Sequence, residues 1–165
     1  MSYLFIKYIH IIGAAVLFGT GMGIAFFLFA GMRLCHQGET ADERAALSVL
    51  CRLVVIADIV FTAVAAIVQP ITGAALVMMM GYEFSDLWVA LSLGLYVFIG
   101  LCWLPVVKMQ NEMSRISQAA VAAGQAFPPR FHLLYRRWFL LGWPAFGAML
   151  VIFGLMVYRP DASPW

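Results

Sequence analysis

Apolar residues fill four long stretches of the chain, at about residues 3–32, 48–80, 87–107 and 133–158. Polar residues gather in the three breaks between them. The runs are continuous rather than alternating, which is the pattern of helices that are apolar all round and not of half-buried strands. Each is at least as long as the roughly 20 residues a helix needs to cross the hydrocarbon of a bilayer. The first break is the polar segment Gln37 to Arg44. The second is the short turn Gly81 to Asp86. The third, Lys108 to Arg130, contains the helix breakers Gly124, Pro128 and Pro129. The pattern predicts an all-α membrane protein: a four-transmembrane-helix bundle forming a single integral membrane domain over residues 1–165.

Composition fits that reading. Of the 165 residues, 64% are hydrophobic and 11% are charged, against about 25% charged in soluble domains. Mean hydropathy is +0.94. So few charges cannot cover a water-facing surface, so the lipid bilayer is the first expected partner. The apolar runs are far longer than the roughly ten-residue strands of a membrane barrel. The net charge of +2 is scattered over loops, which points away from nucleic acid. Cys35, Cys51 and Cys102 form no CxxC pair and read as small apolar residues. The first run is too long for a signal-peptide core and no A-x-A site follows it, so it reads as a span.

Charge also gives an orientation. Arg33, Arg44 and Arg52 flank or occupy the first break, and Lys108, Arg115, Arg130, Arg136 and Arg137 the third. The other side has only Lys7 and Arg159. The positive-inside rule then predicts both termini outside and the two basic breaks in the cytoplasm.

Few side chains within the spans can carry chemistry, and a polar side chain in lipid is a functional candidate by default. His10 lies about two turns into the first span, with Lys7 three residues before it and Ala14 four after. Gly13, Leu17 and Gly21 continue that face. Small residues beside a histidine leave room for a flat ligand such as a porphyrin. His10 is then an axial metal ligand and Lys7 a partner for a propionate. The competing reading is a histidine bonded across the bundle, with Gly19-x-x-x-Gly23 as a helix-packing device. In the second span Asp58, Thr62 and Gln69 fall at i, i+4 and i+11, on one helical face. Pro70 frees the carbonyl of Ala66. Gln69 is therefore a candidate for a cofactor wall, and Asp58 for a proton relay or for pairing with Arg52 or an arginine of the fourth span. Trp88, Ser92, Tyr96 and Trp103 lie near one face of the third span, and Trp143-Pro144 marks a kink in the fourth. His36 and His132 fall at span ends and read as interfacial. No hydrolase, zinc-protease, phosphate-loop or dinucleotide motif occurs.

The opening Tyr3 to Gly13, the glycines Gly19 and Gly21, the run Gln69 to Gly73, and the segments Cys102 to Val107 and Arg136 to Pro144 carry a resemblance. Together they resemble a bacterial family of predicted integral membrane proteins of unknown function (domain of unknown function 2269). This implies the bacterial inner (plasma) membrane and multi-pass topology. More remotely, Lys7-x-x-His10-Ile11-Ile12, Arg52-Leu53 and the final helix ending in Arg159-Pro160 resemble the HemJ-type protoporphyrinogen oxidases. That likeness implies haem b at His10. The Tyr-His pair of that family's third helix is absent here, where Val97 follows Tyr96, and so is the Asn-Glu of its last helix, where Leu141-Gly142-Trp143 precede Pro144. The expectation is a membrane protein binding haem b through His10, with Lys7 and Gln69 nearby, for redox or haem handling. Two alternatives stand beside it: a divergent oxidase-like enzyme, and a non-catalytic membrane module, either an accessory subunit or a small transporter. Gly19-x-x-x-Gly23 permits a homo-oligomer or membership of a larger membrane complex.

Overall fold

The computed structural model describes residues 2–160. The described residues contain no strand. Helix α1 spans Ser2–Leu34. Helix α2 spans Ala41–Ala57, continues through a π-turn at Asp58–Ala63 and becomes α3, Val64–Met80. Helix α4 spans Leu87–Ala122 and α5 Pro129–Tyr158. These make four rods long and apolar enough to cross a membrane. They run up and down in sequence, α1 against α2–α3, α2 against α4, and α4 against α5, the most extensive contact of all.

Two expected boundaries move. The second rod starts at Ala41, seven residues before the expected position, because Thr40 builds a capping box. Its Oγ1 accepts the Glu43 N–H at 3.3 Å, and the Glu43 carboxylate accepts the Thr40 N–H at 2.9 Å, which satisfies two donors at a helix start. The third rod does not end at residue 107. Residues 108–122, expected as part of a polar break, extend α4 to 36 residues, about 54 Å at 1.5 Å per residue. That exceeds the roughly 30 Å of hydrocarbon. The extension is polar yet partly buried, since Met109, Gln110, Met113, Ser114, Ser117 and Ala120 recur on one helical face. Gly124, at φ +65°, ends the segment and Pro129 opens α5.

Packing is lopsided. The main core joins Leu28 and Met32 of α1, Leu47, Cys51 and Val54 of α2, Met109 and Met113 of α4, and Phe131, Leu134 and Trp138 of α5. All of these lie toward the end that carries the α1–α2 and α4–α5 connections, here the basic end. Gly38 locks the two connections together. Its φ of +85° is left-handed, and a Cβ there would come within 2.8 Å of the Phe127 ring. Toward the other end the only buried apolar cluster among the described residues is Val77, Trp88 and Val89. There α1 meets α5 chiefly where Phe18 stacks on Phe146 at 5.0 Å and leans on Phe153 at 5.4 Å. Arg159 closes this end by donating to the Tyr82 hydroxyl at 3.1 Å.

Phe131 is fully buried in the main core and Phe27 is exposed on α1. Phe131→Ala is expected to destabilise the bundle by about 3–5 kcal/mol through cavity formation, and Phe27→Ala by little. Loss of monodisperse elution after graded heating in detergent checks the difference.

Candidate functional site

Polar groups within the spans meet at three places. The first joins α1 to α3. His10 is half-buried, and its Nδ1 lies 2.8 Å from Thr72 Oγ1. The Thr72 hydroxyl donates back to the Val68 carbonyl at 2.8 Å and also lies 3.1 Å from that of Gln69. A hydroxyl has one hydrogen and carbonyls only accept. With that hydrogen on the backbone, Nδ1–H of His10 donates to Thr72 and Nε2 keeps its lone pair. Among the described residues the one side-chain hydrogen bond of His10 is at Nδ1, and none is made at Nε2. A histidine with one nitrogen fixed by a hydrogen bond and the other bare is the arrangement found at metal ligands.

The glycines beside His10 do not form the expected flat slot. A Cβ on Gly13 would come within 2.6 Å of Gln69 Oε1, and one on Gly73 within 3.2 Å of His10 Cε1. The protein itself fills both spaces, and the glycines let α1 and α3 approach. Gln69 Oε1 is buried there without a hydrogen-bond partner. Lys7 is exposed, with its ammonium 5.6 Å from the Tyr3 ring centroid. Farther along α1, positions Gly19, Gly21 and Gly23 meet nothing within 4 Å.

The second place is the proline break. The Ala66 carbonyl, which Pro70 deprives of its helical donor, accepts the Tyr96 hydroxyl from α4. The expectation of a free carbonyl facing a cavity is thus corrected: a neighbouring helix supplies the donor.

The third place is Asp58, 4% exposed. Trp103 Nε1 of α4 donates to both of its oxygens, at 3.2 and 3.1 Å. Gln110, with its amide turned to suit both neighbours, donates to Asp58 Oδ2 at 3.1 Å and accepts Trp138 Nε1 of α5 at 3.1 Å. Asp58 does not pair with Arg52, which is exposed, nor with any Lys or Arg among the described residues. The single polar face expected for Asp58, Thr62 and Gln69 is also split. Asp58 addresses α4, whereas Gln69 addresses α1. The π-turn between them adds a residue to one turn, and each residue is worth about 100° of rotation.

The structure therefore brings His10 and Gln69 to the same α1–α3 seam and leaves Lys7 at its outer edge. Thr72 and Gln110 were missed in the sequence. Thr72 lies within the recognised run Gln69 to Gly73 and carries a hydroxyl one turn after Gln69. Gln110 was hidden in residues expected to be a loop. His36 and His132 line one open pocket at the basic end with Glu39 and Phe127, about 350 Å³ in volume. His36 Nδ1 lies 2.8 Å from Glu43 Oε1, and that bond together with the charge of Glu43 raises the imidazole pKa above its ordinary value.

A family model for predicted integral membrane proteins, domain of unknown function 2269, matches residues 4–160. No curated protein matches the chain, and no solved structure does. The first of the two resemblances is thus shown, and the remoter one to HemJ-type oxidases is not.

Two outcomes are expected. Tyr96→Phe leaves the Ala66 carbonyl buried and unpaired, and should cost about 1–3 kcal/mol, read as a lower unfolding midpoint in a detergent titration. His36 should titrate above an ordinary imidazole by NMR and fall back toward it in Glu43→Gln. The pair favours the fold below the ordinary histidine pKa, and that contribution is lost as pH rises through the raised value.

Proposed function

The chain belongs to this family of predicted integral membrane proteins, and from that premise we propose that it binds haem b through Nε2 of His10, for redox or haem handling. One observation carries the reading: Thr72 holds Nδ1 and leaves the opposite nitrogen of His10 without a partner inside the spans. The donor suits a haem iron. The slot between Gly13 and Gly73 does not suit a porphyrin, because Gln69 and His10 fill it. The reading therefore rests on the donor atom of His10 and not on a preformed slot. His10 would hold the haem, and Lys7, one turn toward the helix start, would pair with a propionate. Gln69 acts behind them, keeping α1 in register on α3. A bound haem b supplies one-electron chemistry at its iron. The chain's own part is to fix the ring of His10, exclude water with the surrounding apolar helices and place a cation at the rim. The proposal sets the protein in a bacterial inner membrane with its basic end in the cytoplasm and both termini outside.

A second reading, a non-catalytic module such as an accessory subunit or small transporter, is favoured by Asp58. A carboxyl without a cation at the junction of three helices suits a protein that senses or passes charge.

Reduced-minus-oxidised absorption spectra of protein purified from haem-supplied cells test the first reading. Soret and α bands are expected in the wild type, absent in His10→Ala and shifted in Thr72→Val. A flat wild-type spectrum overturns it.

A further inference from the structure

Asp58 lies where the second rod departs from α-helical geometry. Its π-turn occupies Asp58–Ala63, a distortion often kept at functional positions. The carboxyl is surrounded by neutral donors: Trp103 on α4, and Gln110 on α4, which in turn accepts from Trp138 on α5. Thr62, one turn on along its own rod, is buried and uncharged. The charged groups nearest in sequence to these residues are Arg52, Lys108, Glu112, Arg136 and Arg137; none bonds either oxygen, the four cations are exposed, and Glu112 is bonded to Arg130. The hydrogen bonds run one way, from Trp138 to Gln110 to Asp58, with Trp103 joining from the other side. All point toward a group that only accepts, which is the ionised carboxyl.

From Gln110 toward the basic end, the buried face of α4 carries polar residues among Met113 and Ala120. Ser114 and Ser117 follow at i+4 and i+7, are 6% and 0% exposed, and face the main core. Ser117 Oγ donates to the Ser114 carbonyl at 3.0 Å, and Ser114 Oγ accepts from the Gln118 amide at 2.9 Å. Gln118 is exposed. Hydroxyls and amides thus stand at about one-turn spacing on α4 between the surface and a carboxyl that has no counter-ion, with Ser114, Ser117 and Gln118 bonded to one another and Gln110 bonded to Asp58.

We propose that Asp58 is a proton-binding site, loaded from the basic end along the polar face of α4. The carboxylate takes one proton and becomes a neutral acid, and releases the same proton on return. No electron moves. The neutral acid has an O–H that needs an acceptor, yet Trp103 and Gln110 both present N–H groups. Trp103 can only donate, so two acceptors are open to the acid: Thr62 Oγ1, buried one turn on without a partner of its own, and the Gln110 carbonyl once its amide turns over. In the second arrangement the amide nitrogen faces Trp138 Nε1, donor against donor, and that bond breaks. By that turn the charge on Asp58 is reported to α5, through a residue that has no charge. This inference stands whether or not His10 carries haem.

The test uses the full-length protein in lipid vesicles made permeable to protons, followed by infrared difference spectra and tryptophan emission from acid to alkaline pH. The expected result is a carboxylic C=O band that disappears as pH rises, together with a shift in tryptophan emission. Both should be lost in Asp58→Asn, and Asp58→Glu should keep the band at a moved frequency. Gln110→Leu removes one donor to the anion and should move the midpoint to higher pH. Ser117→Leu should slow the deuterium shift of the band in heavy water. A wild-type protein with no titrating carboxylic band, or a band that persists in both Asp58 variants unchanged, overturns the site. An unchanged exchange rate in Ser117→Leu overturns the route.

Discussion

Inside a bilayer no water is available to complete a hydrogen bond, and the fold depends on that constraint more than on any attraction between apolar side chains. Helices meet it for most of the backbone. The remaining polar groups have to be matched across the bundle, and here they determine which helix faces which. Tyr96 crosses from α4 to the Ala66 carbonyl. Thr72 and His10 join α3 to α1. Trp103, Gln110 and Trp138 tie α4 and α5 to Asp58. Apolar packing then fills in around these points, densely at the basic end and sparsely at the other.

This division of labour explains what the sequence reveals. Four apolar runs announce four spans, because lipid imposes a length and a composition on each. The polar exceptions inside them, His10, Asp58, Gln69 and Pro70, stand out for the same reason. Their partners do not. Nothing in a linear pattern says that Thr72 rather than another hydroxyl lies opposite His10. The π-turn is equally silent, and by rotating the later half of the second rod it sends Gln69 to α1 and Asp58 to α4. A helical wheel drawn with a constant 100° step places them together.

The end of α4 shows a different limit. Residues 108–122 are polar enough to read as a connection, and in water-facing terms they are. Yet six of those fifteen residues are buried, because α2 and α5 pack against them. Gln110 can be both polar and 3% exposed because Asp58 and Trp138 complete the hydrogen bonds of its amide.

The chain is made from its first residue to its last, and Asp58 leaves the ribosome before any of the groups that receive it. Trp103, Gln110 and Trp138 all belong to later helices. The apolar faces of α1 and α2 lose little by waiting in lipid, since lipid is as oily as the core they will form. A lone carboxyl has no such comfort. The second rod must therefore enter the membrane with its acid uncharged or still near the interface, and Asp58 makes the order of insertion a matter of timing.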